Sequence, residues 1–276
     1  MDLKLLIKAL LFFPAILFCQ STMELFPGNL NVQPYIANFL EPRVGVQFQL
    51  NNNELRLDIG NSMDIIHIKK NDNSVISFGA DFFTYTLLRG EKDFHFPVDA
   101  VDYLFGINSA YKTNINGNEL GARLRLSHIS AHFVDGHFDH QSLTWRNGRE
   151  PRVYSREFIE FIPYYRLNDF RFYMGYTYIF HVDPTYLGKN IFHLGGEYFY
   201  KDFPVSNLNP FVGYDLKLAK IDKYAATNSV VAGLKYGFAN GKGLSIFYSY
   251  FQGKSIHGEY FDYNKNYSSV GFNLDL

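Results

Sequence analysis

The chain has 276 residues, is 47% hydrophobic and 18% aromatic, and carries a formal net charge of -1. That near-neutral charge removes the electrostatic case for nucleic acid or for a strongly acidic substrate, and the length suits one large all-β domain. The rings, Phe 28 and Tyr 21 against Trp 1, match the aromatic girdles of a membrane barrel. A mean hydropathy of -0.15 agrees, because barrel strands alternate polar and apolar residues.

At the N-terminus, Lys4 and Lys8 precede the apolar run Ala9 to Phe18, which reads as a secretory signal peptide over residues 1–21. The run is shorter than the roughly 20 apolar residues a spanning helix needs, and no other segment supplies one, so insertion must use strands. Cys19 is the one cysteine and falls inside the leader, leaving the mature chain without disulfides. Lipidation of Cys19 is the weaker reading, because Phe18 precedes it. Residues 22–41 follow as a linker or periplasmic segment. Phe26 to Pro42 holds three prolines and is a candidate to tuck under the barrel as a plug.

From residue 42 to 276 the dominant signal is period-two alternation broken by turn residues. Val44, Val46, Phe48 and Leu50 share one face; so do Phe170, Phe172, Met174, Tyr176, Tyr178 and Phe180. Segments near 42–51, 54–69, 74–88, 101–114, 119–134 and 152–166 read as strands. So do those near 169–181, 190–201, 207–220, 226–238, 241–252 and 264–276. The sum is a transmembrane antiparallel β-barrel of about twelve strands of spanning length. The second strand is overlong, and a bulge is expected near Gly60 and Asn61.

Connections after even-numbered strands are mostly short, such as Asn116-Gly117-Asn118 and Asn240-Gly241, whereas 89–100, 135–151 and 253–263 are long. Segregation of short turns to one rim and long loops to the other is the habit of bacterial outer-membrane barrels, with the short turns periplasmic. Facing the lumen are Gly79, Asp81, Asp102, Gly106, Arg123 and Arg125, and further on Arg171, Gly175, Glu197, Asp215 and Lys235. Charges of both signs predict an interior filled by ion pairs.

No phosphate loop, dinucleotide fingerprint, zinc spacing or G-x-S-x-G elbow occurs, and no cofactor is expected. The stretch Leu124 to His132 carries the chemistry of interest. Alternation puts Leu124 and Leu126 outward with His128, Ser130 and His132, near the extracellular end of the fifth strand. On the sixth, Glu157 shares the outer face with Ile159 and Phe161 while Arg156 and Glu160 turn inward. Pairing across loop 135–151 brings Glu157 roughly opposite Ser130. Side chains paired across strands approach closely enough for Ser130, His128 and Glu157 to act as nucleophile, base and orienter. The alternative is that they are rim residues in contact with headgroups. A metal site is a further option. His128 and His132 lie about 13 Å apart along one strand, which leaves His137, Asp139 and His140 of the solvated loop.

The His128-x-Ser130 pair, followed by a glutamate on the next strand, resembles the lipid A 3-O-deacylase family of outer-membrane barrel esterases. That resemblance implies attack by Ser130 on an ester of lipid A from the outer wall, with His128 as base and Glu157 orienting it. The family's serine is usually followed by Asn-Ala, where this chain has Ala131-His132, and its barrel is smaller. A second resemblance covers most of the chain. Glu41-Pro42-Arg43, Ser127 to His132 with Asp135, and Tyr154-Ser155-Arg156-Glu157 are similar to a family of bacterial outer-membrane proteins of unknown function. The reading is thus an integral outer-membrane barrel facing lipid or lipopolysaccharide, with a serine esterase site on its wall. Its alternative is a non-enzymatic channel, transporter or structural envelope protein.

Overall fold

A computed structural model describes residues 21–70, 73–220 and 223–276. Apart from Ser21, the expected signal peptide lies outside the described residues, as does Cys19. A short strand, β1 (Ser21–Leu25), comes first. The wall begins with β2 (Val44–Gln49), β3 (Glu54–Lys70), β4 (Val75–Arg89), β5 (Val98–Ile115) and β6 (Asn118–Phe133). A two-residue ribbon follows, β7 (Phe138–Asp139) with β8 (Thr144–Trp145). The wall resumes with β9 (Tyr154–Leu167), β10 (Phe170–Asp183), β11 (Asn190–Phe199), β12 (Leu208–Lys220), β13 (Tyr224–Gly237), β14 (Gly243–Lys254) and β15 (Asn264–Asp275).

Every wall strand pairs antiparallel with its sequence neighbour, and β15 returns to β2, closing a twelve-stranded barrel. The expected strands all form, with ends within a few residues of expectation. Tight turns explain the short rim: at Asn116-Gly117 both residues take positive φ, 51° and 82°, as a two-residue hairpin requires.

Alternation decides which side chain meets which solvent. On β10, Phe170, Phe172 and Met174 are about half exposed outward, whereas Arg171 and Tyr173 are buried inward. Asp81, Asp102, Arg123, Arg125, Arg171, Glu197, Asp215 and Lys235 are all buried in the lumen, as the alternation predicts. The overlong strand does carry a bulge, but between Asp64 and Ile66 rather than at Gly60 and Asn61, which pair in regular register with Phe83 and Phe82. Gly60 serves a different need: a Cβ there would lie 2.9 Å from the Phe83 ring and 2.3 Å from the Phe82 carbonyl oxygen. The true bulge lets Asp64 and His67, three residues apart, both face inward and pair at 2.7 Å.

The proline-bearing segment runs inside the lumen rather than beneath it. β1 pairs with the lower half of β3, the chain then enters the barrel, and it returns to the wall at Val44. Its backbone polar groups are taken up by the wall, as burial demands. Asn31 N–H donates to Asp64 at 2.7 Å and Ile36 N–H to Glu197 at 3.0 Å. Arg171 donates to the carbonyls of Gln33 and Pro34, and Arg56 to that of Phe39. Tyr35, fully buried, packs between the guanidinium groups of Arg123 and Arg171, 4.9 and 4.4 Å from its ring centre. Glu41 takes two hydrogen bonds from Arg123 and one from Arg125. At the opposite end the β14–β15 loop folds inward, where Asp102 accepts from Gly258 N–H at 2.7 Å and pairs with His257 Nδ1 at 2.8 Å. The lumen is packed from both ends.

Candidate active site on the outer wall

β6, β9 and β10 lie side by side, and the site sits on their outer face at the long-loop end. The register pairs His128 with Glu157 and Ser130 with Ser155. Glu157 is therefore opposite His128, two residues from the expected position beside Ser130. The reason lies in the loop. Arg149 and Arg152 are drawn off to Asp262 at 2.8 and 3.0 Å, so the chain rejoins the sheet only at Tyr154. Burial opposes charge on Asp262, yet the hydrogen bonds from the two arginines draw its carboxyl down to about 2, which fixes that anchor as an ion pair.

All three expected side chains face outward. His128 Nδ1 lies 2.5 Å from Glu157 Oε1, and both are about a quarter exposed. Phe105 of β5 packs on the imidazole, with ring centres 4.9 Å apart, and limits its rotation. With Nδ1 committed to the carboxylate, Nε2 is the free ring nitrogen, and the imidazole is set up as an oriented base. Ser130 follows two residues along the same face, half-buried beside Tyr103 of β5. Among the described residues its hydroxyl has no hydrogen-bond partner, and it is not within bonding distance of His128.

A residue that alternation assigns to the lumen completes the cluster. His181 Nδ1 lies 2.5 Å from Glu157 Oε2, so one carboxylate holds two imidazoles, one per oxygen. Strict alternation from Phe170 would turn His181 inward. A bulge between Ile179 and His181 puts Phe180 and His181 on the outside in succession, and Val182 back inside. Asp183 follows outward, paired in register with Ser155 and 3.9 Å from His181 Nε2. The signal for this was present only as a histidine and an aspartate two residues apart at a strand end.

The histidines of loop 134–153 do different work. His137 is fully buried rather than solvated. It stacks on Phe133 at 3.7 Å, pairs with Asp99 at 3.2 Å and meets the Arg149 carbonyl at 3.0 Å. Asp139 accepts the N–H groups of Gln141 and Ser142 and so shapes a turn. Among the described residues His137, Asp139 and His140, the optional metal trio, are not brought together on one ion site, and His132 stands apart from Glu157.

A family described as Protein of unknown function (DUF1207) matches residues 95–275. No curated protein matches the chain, and the comparisons bring out no similarity to lipid A 3-O-deacylases. Among solved structures, OccAB1 of Acinetobacter baumannii is similar at 11% identity, over 94% of this chain and 74% of that one, with a TM-score of 0.38. The β domain of the Bordetella autotransporter BrkA is similar at 12% identity, over 85% and 97%, with a TM-score of 0.41. OmpT, an outer-membrane protein of Vibrio cholerae, is similar at 10% identity, over 93% and 98%, with a TM-score of 0.37. Similarity at that level says nothing about shared function.

Proposed function

The chain belongs to the DUF1207 family, and on that footing we propose that it is an integral outer-membrane barrel whose outer wall carries a serine esterase site for an acyl ester of an outer-leaflet lipid. The observation that carries this reading is the 2.5 Å pairing of His128 Nδ1 with Glu157 Oε1 beside the unbonded hydroxyl of Ser130. The barrel's apolar exterior supports the membrane setting, and the long-loop rim supports the outer leaflet.

In this reading the substrate's seating brings Ser130 Oγ, unbonded in the resting site, to His128 Nε2; the oxygen then attacks the acyl carbon while its proton passes to that nitrogen. The ester C–O bond then breaks, and the proton goes to the departing alkoxide. Water, deprotonated by the same nitrogen, cleaves the acyl-serine, releasing a carboxylic acid as that proton returns to Ser130 Oγ. Glu157 holds the ring in the tautomer that leaves Nε2 able to accept and stabilises the imidazolium that forms. A lipopolysaccharide substrate would meet this wall at headgroup depth. A channel has less support, because the lumen is packed by Tyr35, Arg171 and their neighbours.

The test is mass spectrometry of lipid A and phospholipids from cells expressing wild type or Ser130→Ala at equal levels of folded barrel. Loss of acyl groups with wild type and not with Ser130→Ala is the expected result. Identical acyl patterns would reduce the cluster to rim residues.

A further inference from the structure

Above the lumenal segment, toward the long-loop rim, lies a cavity with about 100 Å³ of free space. Its floor is Phe39 and Leu40 of that segment, its walls are inner faces of β9 to β13, and Gly188, Lys220 and Lys254 line its outer end. Elsewhere ion pairs and two smaller apolar clusters fill the lumen. Here the lining is apolar: Leu40, Phe158, Ile179, Val182, Leu187 and Phe261 belong to one cluster of buried side chains.

One charged group in this cavity is left over. Among the described residues the Arg156 guanidinium has neither a hydrogen bond nor an ion pair, and its Nε is sealed from solvent without an acceptor. The other charges nearby are taken or, like Lys220 at the outer end, exposed to solvent. Glu160, on the same face of β9, turns to Arg123 and Arg125 at 3.9 and 3.6 Å. Lys217 bonds Asn38 and lies 4.1 Å over the Phe39 ring. Lys254 donates to the Asp262 carbonyl at 2.9 Å. The Arg156 side chain is half-buried and lies 5.8 Å from the Phe158 ring centre; a sealed donor without an acceptor is costly, and the cavity offers room for a ligand to bring one.

We propose that this cavity binds a single-chain amphiphilic carboxylate, its acid group on Arg156 and its chain along Leu40, Phe158, Ile179 and Leu187. A guanidinium fork matches a carboxylate in two parallel hydrogen bonds. One unpaired cation inside the cavity, with Lys220 exposed at its mouth, calls for one negative charge. The free space is about 100 Å³, where one water needs roughly 10–15 Å³, so the occupant is a slender small molecule rather than a protein segment. Arg156 and Glu157 are consecutive on β9 and face opposite sides of the wall, so this inference stands apart from the esterase reading.

The experiment uses the full chain folded into phosphatidylcholine nanodiscs and titrated calorimetrically with decanoate, with decanol and empty discs as references. One saturable site, absent from empty discs and at least tenfold tighter for decanoate than for decanol, is expected. Arg156→Gln should weaken it tenfold or more. Ile191→Trp, which keeps the charge but fills the space, should abolish it, with folding of each variant read from heat-dependent gel mobility. Should Arg156→Gln not fold, photolabelling of wild type with a diazirine-bearing decanoate decides, the expected label falling on peptides containing Phe158, Ile191 or Phe261. Label confined to the outer wall, equal affinity in wild type and Ile191→Trp, or uptake no greater than by empty discs would overturn the proposal.

Discussion

His181 reaches Glu157 only because Phe180, immediately before it, is an extra residue in β10. The bulge costs one regular ladder position and gives Glu157 a second imidazole at 2.5 Å. His181 is 59% exposed, and ion pairs that open to solvent contribute at most about 1 kcal/mol to stability. His181→Phe should therefore leave the melting temperature nearly unchanged. On a short-chain p-nitrophenyl ester in detergent micelles it should slow hydrolysis roughly tenfold, against a loss of about 10²–10⁴ for Glu157→Ala. Hydrolysis unaffected by His181→Phe would mean that Glu157 needs only His128 to hold it.

The lumenal segment depends on Glu41, which is fully buried and bridges Arg123 and Arg125. Removing one partner of a buried pair leaves charge stranded and typically costs about 3–5 kcal/mol. Glu41→Ala should lower the urea midpoint of the barrel in lipid vesicles accordingly, followed by the gel mobility of unheated samples, with Glu41→Gln between it and wild type. A loss below about 1 kcal/mol would place the anchor elsewhere on the segment.

Glu259, in the β14–β15 loop, is buried beside Arg152, and burial pushes its carboxyl up to about 7 despite hydrogen bonds from backbone N–H groups. Its folded form thus holds a proton that an unfolded loop releases near the ordinary carboxylate value of about 4.3. The stability this contributes is full below that value and is lost as pH rises through about 7. Hydrogen exchange of residues 255–263, corrected for intrinsic rates, should be faster at pH 8 than at pH 5.5, and Glu259→Gln should flatten the difference. Equal protection at both pH values would show that Asp102 and Asp262 hold the loop without it.

The wall was legible in the sequence because two solvents impose opposite demands on alternate residues. Phe172 and Arg171 could only be read one way round, and the loop lengths then set which rim was which. The outward placement of His128, Ser130 and Glu157 followed from the same rule. What escaped was whatever breaks period two or depends on distant partners. The bulge before His181 inverts the parity of a single residue. The β6–β9 register was misplaced by two because Arg149 and Arg152 answer to Asp262, more than a hundred residues away. The lumenal segment has no periodicity at all, and its course is set by hydrogen-bond partners on seven different strands.

That segment also constrains the order of assembly. It lies between β1, which pairs with β3, and β2, which joins β3 to β15 at Ser269↔Gln49 through Leu274↔Val44. Contacts this remote in sequence carry the largest chain-closure entropy and form late. Since both ends of the segment are fixed at one seam, it must already be seated when β15 zips against β2. The last strand therefore acts as a latch, sealing contents that could not be threaded in afterwards.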